Sequence, residues 1–347
     1  MMWLTWRQFR AQAIGAAAVL ALTTVLLGLT GRHVAYLYQA SGAAGCAASH
    51  DCGSATTTFL DAVNATLSSH LPLLFGTALI VVPAILGMFW GAPLVTRELE
   101  TGTHRLVWSQ SVSRAAWLAI KLGVIVAIAM ATAGVFSLLV TWSAGPIDQV
   151  NQNLLQPSVF SERGIAPIGY AAFAVALGVL AGILIRRTVP AMAFTLVAFT
   201  VIQFAMRALR QYLVTPVRLI SPLGRGDILT AGVQHGADGA AHTILTGNAN
   251  IPGAWVLSTQ VINAAGQVVG GVTRPAAGNE AARACAGPHG PARSCFAQLA
   301  SRGYRQLVTY QPASRFWEFQ WYETAIFLAL AAGMAGASFW WIRRRVS

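Results

Sequence analysis

The chain has 347 residues, 55% hydrophobic and only 10% charged, with a net charge of +12 and a mean hydropathy of +0.57. Soluble domains carry about 25% charged residues, so this chain cannot cover a water-facing surface. A cytosolic enzyme, a disordered protein and a collagen-like fibre are excluded, and an integral membrane protein remains.

Residues 1–10 place Trp3, Trp6 and Phe9 beside Arg7 and Arg10, a composition suited to a membrane interface. The first apolar run, Ala11–Thr30, is long for a signal-peptide core and no A-x-A site closes it. It therefore reads as a retained span rather than a cleaved leader. Residues 31–70 form a loop with Cys46 and Cys52. Further spans are expected at Leu73–Val95, Leu122–Trp142, Ile165–Ile185, Val189–Met206 and Thr324–Ile342, making six, and none contains a charged residue. One charge at a helix centre costs about 2.5–3.5 kcal/mol on insertion scales, so uncharged runs are a strong signal. Residues 96–121 form the largest inner loop, with Ser113 as a candidate N-cap for the third span. Residues 143–164 read as a polar loop, Arg186 and Arg187 as a tight turn, and Pro190 as part of the first turn of the fifth span.

Segment 207–320 reads as a soluble-like region, with alternation over Trp255–Val269 around a turn at Asn263–Gly266 that predicts a β-hairpin. Phe316, Trp317, Phe319, Trp321 and Tyr322 form an aromatic belt ahead of the sixth span, and Trp340 and Trp341 precede Arg343–Arg345 at its other end. The expected fold is an all-α polytopic membrane protein with a partly β extracellular segment between the fifth and sixth spans. Its parts are a membrane domain over 1–206, the extracellular segment over 207–320, and the last span with a basic tail over 321–347.

Arginine counting gives the orientation. With the N-terminus inside, the inner pieces hold Arg7, Arg10, Arg97, Arg105, Arg114, Lys121, Arg186, Arg187 and Arg343–Arg345, against only Glu98 and Glu100. The short outer loops hold only Arg32 and Arg163. Cytoplasmic loops concentrate Lys and Arg, while long loops translocate regardless of charge. Both termini are thus expected in the cytoplasm of a multi-pass plasma-membrane protein. The positive charge sorts by membrane side, which removes nucleic acid as a partner. All four cysteines, Cys46, Cys52, Cys285 and Cys295, fall outside, where disulfides persist. Local pairing, Cys46–Cys52 and Cys285–Cys295, is the simplest of three connectivities, with unpaired thiols as the alternative.

Gly87 and Gly91 in the second span, and Gly178 and Gly182 in the fourth, allow close helix approach, either within the subunit or at a dimer seam. There is no Walker A motif, no H-E-x-x-H, no G-x-S-x-G and no CxxC. Polar groups inside the spans are neutral ones such as Thr23, Thr24, Thr132 and Gln203. The chain thus shows neither an internal motor nor an evident ion-coupling site, and if it transports, its energy should come from a partner chain.

The inner loop carries Arg97-Glu98-x-Glu100-x-Gly102-Thr103, then Arg105 and Leu106, then Ser111-Val112-Ser113-Arg114. Taken alone it is either a solvated turn or a short mixed-charge helix, broken near Gly102, that docks on a soluble partner. This motif resembles the loop between the second and third spans of ABC type-2 permeases. The run from Val82 to Leu122, the opening W-L-T-W-R-Q-F-R and the closing Y-Q-P-A-S-R-F-W-E-F-Q-W-Y-E-T look like that family's actinobacterial branch. The resemblance implies six spans per subunit, a second permease copy and two cytosolic ATPase subunits. It also implies a coupling contact at Arg97, Glu98, Glu100, Gly102, Thr103 and Arg105. ATP and Mg would bind the partner, with no cofactor in this chain, no metal and no catalytic residue. The cysteine-bearing outer segment departs from the short outer helices of many members. The expected function is export of a hydrophobic or amphipathic cargo, with membrane lipid around the spans. The competing reading is a membrane-anchored sensor or assembly factor using the outer segment to bind a ligand, which would lack a linked ATPase.

Overall fold

A computed structural model describes residues 2–48, 52–66, 74, 81–102, 113–222, 230–235, 241–246, 251–268, 300–301 and 303–345. It divides into a helical unit, Met1–Leu213 with Phe316–Ser347, and a second unit, Val214–Arg315.

In the helical unit, α1 runs from Met2 to Ala40 and α2 from Gly53 to Asn64. Helix α3 covers residues 81–100 and includes a π-helical turn at Gly87–Gly91. Then come α4 (Arg114–Asn151), α5 (Pro157–Phe160), α6 (Ala166–Ile185), α7 (Thr188–Leu209) and α8 (Phe316–Arg345). Among the described residues, five helices are long and apolar enough to cross a membrane. Of the expected second span, residue 74 and residues 81–95 are described.

The helices run past the uncharged windows that the sequence marks out. Helix α4 continues to Asn151 with Pro146 inside it, so the loop expected from residue 143 starts nine residues later. Its start is as expected: the Ser113 hydroxyl accepts the Ala116 N–H at 3.2 Å, satisfying one of the donors a helix start leaves open. Arg186 closes α6 in the left-handed region at φ 57°.

Helix α6 is the hub. It packs against α3, α4, α7 and α8, and it is built from small residues: Ala166, Gly169, Ala171, Ala172, Ala174, Ala176, Gly178, Ala181 and Gly182 are all buried. Lipid tails give no hydrophobic drive for helices to associate, so close packing must supply it, and small residues permit it. The two glycine pairs face each other within the subunit. A Cβ on Gly87 would strike the Ala174 carbonyl, one on Gly91 the Val175 carbonyl, and one on Gly182 the Thr96 hydroxyl. Larger side chains fill the flanks, where Phe173 meets Phe327 edge-on at 5.4 Å and stacks near Phe199 at 6.2 Å. The expected aromatic belt splits by helical face. Phe316 and Phe319 turn inward onto Phe160, whereas Trp317, Trp321 and Tyr322 stay exposed.

The second unit holds β1 (Val217–Pro222), β2 (Thr230–His235), β3 (Ala241–Thr246), β4 (Trp255–Ile262) and β5 (Arg305–Gln311). They form an antiparallel sheet in the order β1-β5-β4 and a separate β2-β3 pair. The turn at Asn263–Gly266 forms, with the Gly266 N–H donating to the Asn263 carbonyl at 2.9 Å. Of the hairpin expected there, the described residues, which end at Val268, show the bridge from Ile262 to Val268, and β4 also pairs along its length with β5. Distant β5 supplies a full partner for β4, with Val308 buried opposite Thr259, while Ile262 pairs with Arg305 of β5 and bridges Val268 as well.

Candidate coupling site

Of the motif at 97–105, residues 97–102 are described. Its described part is the last turn of α3, whose C-terminal stretch Ala92–Glu100 is continuous with the π turn. The Thr101 hydroxyl donates to the Arg97 carbonyl at 2.8 Å, and Gly102 follows at φ +71°. That is the left-handed position where helices commonly end and glycine bears no Cβ penalty. Arg97 and Glu100 are exposed, while Leu99 packs against the main apolar core. Thr103 and Arg105 lie outside the described residues.

Both acids of this turn hold other helices. Glu98 pairs with Lys121 of α4 at 2.5 Å, and Lys121 is buried with its ammonium 4.8 Å from the Trp117 ring. Glu100 reaches α7, where one carboxylate oxygen accepts the Thr188 N–H at 2.8 Å and the other the Thr188 hydroxyl at 2.6 Å. The residue at the N-cap of α7, Arg187, makes no side-chain cap. Glu100 therefore supplies from α3 the anionic cap that a helix N-terminus favours. The hydrogen bonds from the Thr188 side chain and backbone hold the Glu100 carboxyl below the usual carboxylate range. Displacing the α3 end must therefore pull on α4 through Lys121 and on α7 through Thr188.

A second polar assembly lies where α6 begins and α7 ends, and sequence reasoning missed it. Arg210, fully buried, donates twice to the fully buried Glu323 at 2.8 and 3.0 Å, and to the Ser161 hydroxyl at 3.1 Å. The Tyr170 hydroxyl donates to the same carboxylate at 2.5 Å. The Gln320 amide oxygen accepts the Ile165 and Ala166 N–H groups at 3.0 and 2.8 Å, capping α6 from α8. Arg163 donates to Asp148 at 2.9 Å. Burial, reinforced by Asp148, pushes the neighbouring Glu162 carboxyl up to about 7, against the pull of Arg163 and Arg207.

A sequence model of the family described as ABC-2 membrane transporter related matches residues 17–210. The chain belongs to that family. The matched stretch runs from within α1 to just past the end of α7, and so contains Glu98, Glu100, Lys121 and Thr188. It ends before the β unit and before α8. Neither the curated proteins nor the solved structures contain a match to the chain. As an ABC-2 family member the chain is a transporter membrane subunit of the permease type, not itself catalytic, in a family whose permeases work with an ATPase partner. Of the cysteines expected to pair, Cys52 is described at the start of α2. Cys285 and Cys295 and the Cys46 side chain lie outside the described residues.

Proposed function

We propose that this ABC-2 family subunit is the permease of an ATP-driven exporter that moves a hydrophobic or amphipathic cargo across the plasma membrane. Two copies form the path, and two cytosolic ATPase subunits bind ATP and Mg. Both termini are cytoplasmic, Cys46–Cys52 and Cys285–Cys295 close outer loops, and the turn bearing Arg97, Glu98, Glu100, Gly102, Thr103 and Arg105 receives the ATPase. The supporting observation is the double tether of the α3 end. A partner pressing on the exposed Arg97 and Glu100 face moves a turn bonded to α4 and to α7. A docked element with differential contacts in two states is what lets a partner bias the spans.

The test separates docking from transmission. Arg97→Glu changes the exposed face and should weaken co-purification with the ATPase. Thr188→Val removes only the hydroxyl bond to Glu100, and should leave co-purification intact while lowering cargo-stimulated ATP hydrolysis in the reconstituted complex. The charge-reversed pair Glu98→Arg with Glu100→Arg should lose both. Normal association, stimulation and export in that double variant would remove the coupling role from this turn.

A further inference from the structure

Three arginines and three acids meet where α7 ends. Asp148 takes Arg163, and Glu323 takes Arg210. The remaining pair, Glu162 and Arg207, is not closed by a hydrogen bond. Arg207 Nε and Nη2 are sealed from solvent without an acceptor, as are Arg163 Nη1, which stands 3.7 Å from a Glu162 oxygen, and Arg210 Nη1. Gln203, buried and one turn before Arg207 on the same helix face, has its amide nitrogen unpartnered too. Buried donors left unpaired are costly, and a buried cation without its counter-charge more so. Arg207 also borders an exposed apolar surface: its guanidinium lies 5.7 Å from the Phe204 ring, and Val197, Val201 and Phe204 are each 60% or more exposed along one stripe of α7.

We propose that Arg207, with Arg163 and Gln203, binds the phosphate of an anionic membrane lipid whose acyl chain lies along Val197, Val201 and Phe204. A guanidinium fork matches phosphate geometry, and basic pockets between membrane helices suit acidic headgroups. Glu162 is the internal competitor for the same donors. Its charge faces Arg163, Asp148 and Arg207, with the Arg210–Glu323 pair beyond Ser161. Its carboxyl is neutralised as pH falls through about 7, which removes the negative charge that competes with a phosphate for these cations, so headgroup binding strengthens in acid and weakens in alkali.

This proposal does not rest on the exporter reading, because binding is measured on the isolated full chain without ATPase. Fluorescent phosphatidylglycerol is titrated in detergent against phosphatidylcholine, with free glycerol 3-phosphate as a separate arm. Phosphatidylglycerol should bind about tenfold tighter than phosphatidylcholine, and Arg207→Gln should remove about that factor, as expected for one charge-assisted contact. The exposed Arg32→Gln should change nothing. Equal binding of both lipids, or an unchanged Arg207→Gln, overturns the proposal. Glycerol 3-phosphate binding as tightly as the lipid overturns the lipid assignment in favour of a free-anion site. Should Arg207→Gln fail to fold, Glu162→Gln decides: wild-type affinity should fall between pH 6 and pH 8 while the variant stays flat and tight, and a pH-independent wild type overturns the competition.

Discussion

Replacing Gly178 by alanine tests whether α3 is seated on α6 by backbone contact. The new Cβ would strike the Gly87 carbonyl, lie 2.8 Å from Ala92 N and 3.1 Å from Gly91 C. All three are backbone atoms, so no rotamer change relieves them and α3 must move outward. Overpacking of this kind costs about 1–3 kcal/mol. Alanine's intrinsic advantage over glycine in a helix interior, about 1 kcal/mol, acts in the opposite direction. Gly123 in α4 supplies the reference, because a Cβ there meets nothing within 4 Å. The chemical change is identical at the two sites, so their difference isolates packing. Gly178→Ala should be less stable than Gly123→Ala by about 1–3 kcal/mol. Denaturant unfolding of both variants in one detergent reads this directly. Equal stability would refute seating by backbone contact and leave the α3–α6 surface with slack.

Two further outcomes follow from the buried charges and the helix cap. Glu323→Gln strands the buried Arg210 without its counter-charge, and unfolding stability should drop by about 3–5 kcal/mol; a loss below about 1 kcal/mol would mean the site relaxes or takes up water. The Glu100 carboxyl is depressed in the fold, so its contribution is present above the unfolded carboxylate pKa and is lost as pH falls through the lower folded value. Thermal unfolding of Glu100→Gln against wild type should therefore differ at neutral pH and converge in acid, and a gap that persists at the most acid pH would refute the carboxylate cap.

Much of the helical unit could be read from residue type. The two glycine pairs, the Ser113 cap and the stop at Gly102 are each short-range signals with one steric cause. The Arg210–Glu323 pair was missed for an equally physical reason. Uncharged runs mark the spans, so the fifth ends at Met206 and the sixth begins at Thr324, one residue past the acid. The two halves of the pair lie 113 residues apart. One available signal was the arrangement of Gln203, Arg207 and Arg210 on one end of a span, with acids flanking an antiparallel span at the same level. The β4–β5 pairing offered no comparable cue, because a strand's alternation says which face is buried but not which distant strand covers it.

The π turn at Gly87–Gly91 sets the phase of everything after it. An inserted residue rotates the following helix by about 100° relative to an unbroken α-helix. Glu98 and Glu100, which meet Lys121 and Thr188, lie downstream of that offset. The aim of the two carboxylates is thus fixed about two turns upstream, at a wide turn held against the carbonyls of Ala174 and Val175. A helical wheel drawn at constant pitch through residues 81–100 would misplace both acids by about that angle. The bearing of this turn on its neighbours is a property of the helix's winding as much as of its charged residues.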